Sequence, residues 1–187
     1  MILSDLGIRD ALASKDIAIT PFDPERIQPA SYDLVLGDTL KVPVVTNEPT
    51  LGDDIIWHDV PLKSKDFVLH RGCFCLGATL ERVRLGSDIG ASLSGRSTIG
   101  RKGLAVHITA GWIDPGFDGH ITLEFYNCGP RPLILRAGSP VGQLIFHALD
   151  QTCRKPYAGR YQFAAGVEAP KLPLRGNELV VGGIGEG

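Results

Sequence analysis

The sequence predicts a mainly β fold, a distorted barrel or jelly-roll-like sandwich entered through one short helix. Three observations carry this. Turn signals recur roughly every 10–12 residues after position 67, between short apolar and β-branched runs. Gly 23 and Pro 13 are abundant, which suits many strands and turns better than a helical bundle. The one stretch of clear helical texture stands at the start, where Ser4 precedes DLGIRDALAS.

In order along the chain, Ser4 is an N-cap residue, because its hydroxyl can accept an orphan amide of the first turn. Leu6, Ile8 and Leu12 are expected near one side of that helix. ITPFDPERIQPASYDLVLG mixes prolines with a strand-like end. Residues 38–66 are polar, with Pro43, Pro49 and Pro61, and read as irregular loop between short strands. FVLHRGCFCLGATLERVRL reads as two strands about a turn at Arg71-Gly72, and IGASLSG as another. GLAVHITAGWIDPGF, HITLEFYNCG and RPLILRAGSPVGQLIFHAL complete the strand-rich part. After Asp150 the texture loosens into basic, aromatic, Gly- and Pro-dotted chain, and the final VVGGIGEG reads as mobile. There is no internal repeat. The expected organisation is one domain over 1–187, with a barrel core to about residue 150 and a C-terminal lid and tail over 151–187.

Composition narrows the function. The chain has 187 residues, 43% hydrophobic and 21% charged, enough for one sizeable core. A net charge of −2 gives no general attraction to nucleic acid or an anionic membrane, so neither is expected as a partner. No run approaches the roughly 20 apolar residues of a membrane span. MILSDLGIRDALASKD lacks the basic start and apolar run of an export signal, so a cytoplasmic location is expected. Cys73, Cys75, Cys128 and Cys153 have no disulfide-framework spacing and are expected as free buried thiols. Cys73 and Cys75 would share a strand face, but no second ligand pair follows to complete a metal site.

The charges that need explaining lie in ASLSGRSTIGRKGLAVHITAGWIDPGFDGHITLEFY, residues 91–126. In HITLEFY, alternation places Ile121, Leu123 and Phe125 on one face and Thr122, Glu124 and Tyr126 on the other. A carboxylate among apolar neighbours is costly unless paired or protonated. Burial would raise its pKa and a nearby Arg would lower it. Glu124 therefore reads either as a general base and acid or as half of a structural ion pair. SGRSTIGRKG is not a Walker loop, since Lys then Ser/Thr does not follow the second Gly. Backbone amides in a Gly turn with Arg96 and Arg101 still make an anion cradle, against the alternative of solvated arginines on a turn. Asp114-Pro115-Gly116 is a tight turn that Asp114 caps, or from which it accepts a sugar hydroxyl or a water. His107 would share a strand face with Ala105 and Thr109, where a lone histidine is usually structural. There is no H-x-E with P-C-x-x-C and no G-x-S-x-G, so a water activated here needs a protein carboxylate without catalytic zinc.

PASYDLVLG (29–37), GRSTIGRKGL (95–104), HITAGWIDPGFDGHITLEFYN (107–127) and GSPVGQLIF (138–146), in this order and spacing, resemble the dCTP deaminase family. The likeness runs from about residue 1 to 150 and weakly to about 166. It implies a dUTPase-like β-barrel and a homotrimer with active sites shared between subunits. It implies dCTP as substrate, Mg²⁺ carried on the triphosphate, no zinc, and replacement of the C4 amino group by oxygen to give dUTP and ammonia. By position, Glu124 falls on the catalytic glutamate, with Ser97 and Arg101 orienting that machinery and contacting phosphate. Arg96 falls on a triphosphate-binding Arg, and Thr98, Ile99 and Gly100 complete the nucleotide-binding loop. Thr122, Leu123 and Glu124 fall on the base-reading strand, Asp114 on the deoxyribose-side Asp, and His107 on a histidine near the site. Tyr157 and Tyr161 fit the closing segment. Arg160 stands where Lys is usual and Ala164 where Gln is usual, so the lid would close differently or use Gln162. A bifunctional branch also cleaves dUTP to dUMP and diphosphate; TAGWIDPGF and Gln143 in VGQLIF lean towards it, with Asp114 holding the attacking water. The resemblance further implies dTTP as a feedback ligand. A non-catalytic nucleotide-binding trimer and a plain interaction barrel are the competing classes.

Overall fold

A computed structural model describes residues 1–45, 55–63 and 65–171. The expected mobile end, VVGGIGEG, lies outside them. The chain forms α1 (Asp5–Ser14), β1 (Ile17–Thr20), a 3₁₀ turn (Pro24–Arg26), β2 (Ile27–Gln28), β3 (Ser31–Pro43), β4 (Trp57–Pro61), β5 (Phe67–Leu69), β6 (Phe74–Leu85) and β7 (Ile89–Gly95). Then follow α2 (Ser97–Gly100), β8 (Leu104–Ala105), β9 (Trp112–Ile113), β10 (Asp118–Asn127), β11 (Leu133–Leu135) and β12 (Pro140–Ala148). Every strand pair among the described residues is antiparallel. The main sheet runs β8-β10-β6-β3-β12-β7-β9, with β1 on β6 and β2 and β4 on β3; β5 and β11 form a separate ribbon.

Ser4 caps α1 as expected, its Oγ accepting the Gly7 N–H at 3.3 Å. Ile8 and Ala11 are buried, and Leu12 packs on the core. Leu6, by contrast, is 67% exposed. Two residues advance about 200° around a helix, so Leu6 cannot share the side of Ile8 that rests on β1. The expected loop over 38–66 is also corrected in part. Residues 38–43 continue β3 and pair with β4, Thr39 opposite Pro61 through Pro43 opposite Trp57. Leu40 is fully buried between the half-exposed Thr39 and Lys41. Polar composition there marks a half-solvated strand face, and Pro43 and Pro61 sit at strand ends where no ladder amide is needed.

The core fills the curl of the sheet. Leu34, Leu36, Leu40, Leu123, Phe125, Leu144 and Phe146 come from β3, β10 and β12 and are all fully buried. Each contributes about 1.5–3 kcal/mol of transfer free energy. Where β6 bends, its register with β10 shifts between His120 opposite Arg82 and Thr122 opposite Ala78. Thr79 pins this irregularity: its Oγ1 donates to Glu81 O at 2.6 Å and accepts the Ile121 N–H at 3.0 Å. Glu81 is fully buried. Its carboxylate accepts the Val35 N–H at 3.0 Å and pairs with the Arg26 guanidinium. Burial pushes the Glu81 carboxyl above the usual range, against the pull of those partners.

The cysteine expectation holds only for Cys75, which is buried with its thiol pushed up to about 12 by desolvation. Cys73 and Cys128 are exposed and Cys153 is half-buried; all four are free. Cys73 sits in the turn before β6, so it does not share a strand face with Cys75.

Candidate active site

Strand β10 builds the site by alternation. Ile121, Leu123 and Phe125 enter the core, while Thr122 and Glu124 are half-buried on the other face. That face opens on a cavity of about 360 Å³ whose lining includes Thr122, Glu124, Asp114 and Tyr157. Among the described residues its lining contains no Lys or Arg. Glu124 is fixed at both ends. Its N–H donates to Val106 O at 2.9 Å, and its Oε2 accepts the Ile108 N–H at 2.6 Å. Among the described residues of one chain, no cation pairs with this carboxylate.

The segment that grips Glu124 departs from expectation. Strand β8 ends at Ala105 and the chain turns through 106–111, so His107 is not on a strand face. Its ring packs against Gly111, where an added Cβ would stand 3.0 Å from the His107 ring, and its Nδ1 is buried without a partner among the described residues. Asp114 does not cap its turn with its side chain. The turn is closed by Phe117 N–H to Asp114 O at 3.2 Å, and Gly116 takes φ 86°, a left-handed value that favours glycine. The freed Asp114 carboxylate is exposed on the cavity and accepts the Trp112 indole N–H at 2.9 Å.

The arginine loop is elsewhere on the chain. SGRSTIGRKG forms a single helical turn, α2, rather than a glycine turn, with Arg96 before it and Arg101 after it. Arg96, Ser97, Thr98 and Gln143 border a second cavity of about 400 Å³, with Asp33 and Ser31. No residue lines both cavities. Arg96 Nη2 lies 3.2 Å from the Asp33 carboxylate, which burial pushes up and Arg96 draws back down. Gln143 Oε1 accepts from Ser31 Oγ at 2.9 Å. Ser97, Thr98, Gly100 and Arg101 are exposed, and Ile99 rests partly on the core. Leu123 gives its side chain wholly to the core.

After β12 the chain returns as a strap, 157–171, along the edge of β10. Phe163 N–H donates to Asp118 O at 2.6 Å, His120 N–H to Ala164 O at 2.9 Å, and Glu168 N–H to Thr122 Oγ1 at 3.2 Å. Ala164 is buried against Gly119, where an added Cβ would lie 2.9 Å from Ala164 N. Gln162 does not turn to the cavity; its amide bridges Asp118 N–H and Gly116 O. Arg160 closes the strap's base by donating to Lys171 O at 2.9 Å, while Lys171 Nζ donates to Arg160 O at 3.1 Å. Sequence reasoning missed His120, Trp112 and Glu168, which line the first cavity together with Tyr161, a residue the resemblance placed in the closing segment. For His120 the signal was present: it precedes Thr122 and Glu124 on the same alternation.

Residues 2–149 match the family model described as dCTP deaminase-like. A dCTP deaminase of Halorubrum lacusprofundi is 39% identical over 186 residues, covering 92% of this chain and 91% of its own. A "dCTP deaminase, dUMP-forming" of Clavibacter michiganensis is also 39% identical, covering 93% and 92%. A dCTP deaminase of Rhodospirillum rubrum is 44% identical over 171 residues, covering 84% and 88%. The crystal structure of 2'-deoxycytidine 5'-triphosphate deaminase from Agrobacterium tumefaciens superposes with a TM-score of 0.63 at 27% identity, over 79% of this chain and 48% of that one. By the family model and by these relatives alike, the chain belongs to the dCTP deaminase-like family.

Proposed function

We propose that the protein deaminates dCTP hydrolytically, giving dUTP and ammonia for deoxynucleotide synthesis. The observation that carries this reading is Glu124, a carboxylate that faces a cavity and accepts the Ile108 N–H. Water attacks C4 of the cytosine while Glu124 takes one of its protons. The same carboxyl returns the proton to the ring and serves the departing amine, so ammonia leaves and the oxygen stays on C4. Confinement and orientation at the carboxylate supply the rest of the rate.

The phosphates need cations that the Glu124 cavity lacks. Arg96 and Arg101 would supply them, with Ser97 as a hydroxyl donor, from the two ends of α2; in one chain Arg96 and Ser97 border a different cavity. The reading is therefore a homotrimer in which α2 of one subunit meets the Glu124 cavity of the next, with Mg²⁺ arriving on the triphosphate. In such a site the planar guanidiniums suit the phosphate oxygens, and Tyr157 and the strap cover the nucleoside. Feedback by dTTP is part of the same reading.

A second reading has an observation of its own. Relatives bearing the plain and the dUMP-forming names match this chain at the same 39% identity. Asp114 places a second carboxylate on the same cavity, where it can hold a water against the α-phosphate side. Product analysis with dCTP and Mg²⁺ decides. Ammonia with dUTP means deamination alone; ammonia with dUMP and diphosphate means both reactions. The absence of ammonia overturns the deaminase reading.

A further inference from the structure

Trp112 is half solvent-exposed, yet its indole is held at both ends. The benzo edge lies over Gly90, where an added Cβ would stand 2.4 Å from Cζ2 and 2.6 Å from Cη2 of the ring. Gly90 pairs with His147 across β7 and β12, and the His147 ring meets the indole edge-on, 5.5 Å between centroids. His147 is anchored in turn, its Nε2 lying 3.0 Å from Ser92 Oγ, and Ser92 stands opposite Trp112 in the β7–β9 ladder. This seat aims the other edge of the indole at Asp114, and Nε1–H donates to Asp114 Oδ1 at 2.9 Å. Asp114 needs such a holder. Its turn is closed by backbone groups and its side chain is exposed. An exposed carboxylate left to itself samples several rotamers, and a ligand that engages it must first order it. The indole has one N–H to give, so it fixes the carboxylate plane through Oδ1 and leaves Oδ2 as an acceptor. Trp112 and Asp114 both line the Glu124 cavity.

We propose that Trp112 is a positioning residue: its indole, seated on Gly90 and against His147, orients the Asp114 carboxylate before the nucleotide arrives. The proposal rests on the deoxycytidine-nucleotide reading above. Trp112 then acts through Asp114 and not by a contact of its own. The device is built from three strands, β7, β9 and β12, so its rigidity comes from the sheet rather than from the turn that carries Asp114. A carboxylate ordered in advance serves the bound substrate and the transition state alike, so its loss should appear in KM and leave kcat in place.

The test is a double-mutant cycle on dCTP with Mg²⁺, using the unaltered protein, Trp112→Phe, Asp114→Ala and the double variant. Phe keeps an aromatic ring on the seat and removes the N–H. Trp112→Phe should raise KM about three- to tenfold, the range of one side chain left to be ordered on binding, with kcat retained. Asp114→Ala should raise KM at least as much, and adding Trp112→Phe to it should change nothing further. The contact itself is read without substrate. The chain has two tryptophans, so Trp57→Phe leaves Trp112 as the one fluorophore of its kind. Its emission should shift when Asp114→Ala is added to nucleotide-free protein. A KM rise from Trp112→Phe that is equal with and without Asp114 overturns the proposal, because the indole would then touch the nucleotide itself. An unchanged KM in Trp112→Phe, or an emission that ignores Asp114→Ala, overturns it too. If the emission shifts but the unaltered protein neither binds nor turns over dCTP, the deaminase reading fails and the proposal with it.

Discussion

Replacing Glu124 by Gln should stop deamination while leaving the fold and nucleotide binding in place. The structure sets the size of each effect. The side chain is half-buried, and among the described residues its hydrogen bond is from the Ile108 N–H at 2.6 Å. A charged acceptor makes that bond worth about 1.5–3 kcal/mol and a neutral amide oxygen about 0.5–1.5, so the exchange costs about 1 kcal/mol. For a chain of this length that is about 2–4 °C in Tm. A domain of ordinary stability, about 5–15 kcal/mol, stays almost wholly folded after such a loss. Loss of a positioned general base instead costs about 10²–10⁴ in rate. A tenfold loss in rate already corresponds to about 1.4 kcal/mol, so misfolding and lost chemistry separate cleanly. Ammonia release measures the rate, and a thermal shift with dCTP and Mg²⁺ measures binding. At 100 times Kd the ligand should still add about 2.7 kcal/mol to the variant. Turnover at the unaltered rate would show that another group carries the proton. Loss of the thermal shift together with turnover would show that Glu124 binds rather than reacts.

Gly119→Ala should unseat the strap, since its Cβ would stand 2.9 Å from Ala164 N and 3.3 Å from Ala164 O. Limited proteolysis should then cut within 157–171 faster, with the barrel's main transition little changed; equal cutting rates would show that the strap yields without detaching. Glu81 predicts a pH effect. Its folded pKa is raised by burial, so the folded state holds that proton more tightly than the unfolded chain does, and the stability this gives falls as pH rises from the ordinary value of 4.5 towards the folded pKa. Glu81→Gln lacks this titration, so its Tm should gain on the unaltered protein over that window; a difference independent of pH would refute it. Co-expressing Arg101→Ala with Glu124→Gln should restore activity to mixed trimers, at about one quarter of the unaltered rate if subunits assort at random. Preparations as inactive as either variant alone would place both residues in one subunit's site.

Strand β10 was the most legible part of the chain. Period-two alternation in HITLEFY depends only on backbone geometry, and the burial of Ile121, Leu123 and Phe125 follows it residue by residue. Elements decided by long-range pairing were less legible. The polar end of β3 is a strand because β4 covers it, and the two meet from opposite ends of an intervening segment. His107 left its expected strand because Val106 O and the Ile108 N–H are both spent on Glu124. Tyr161 and Glu168 reach the site through a strap whose course depends on the space left by Gly116 and Gly119. Added Cβ atoms there would meet Pro156 at 2.5 Å and Ala164 at 2.9 Å. A glycine gives no hint in sequence of which segment will approach it.

The two cavities of one chain are chemically opposite, and that contrast bears on assembly. The first carries Glu124, Asp114 and Glu168, with no Lys or Arg in its lining among the described residues. The second carries Arg96 with two hydroxyl residues of α2, and its one carboxylate, Asp33, is already paired to that arginine. A triphosphate placed in the first cavity alone would meet like charge at several sites, at a cost that a partly desolvated site magnifies. A cytosine placed in the second alone would find no free carboxylate to accept from its amino group or to activate water. Among the described residues each cavity thus lacks what the other has, and the two share no lining residue. In the proposed trimer a second copy of the chain would supply the missing half, and three copies would close the arrangement so that every cavity is used. On this argument an isolated subunit should release no ammonia from dCTP, because each of its cavities holds only half of the proposed chemistry.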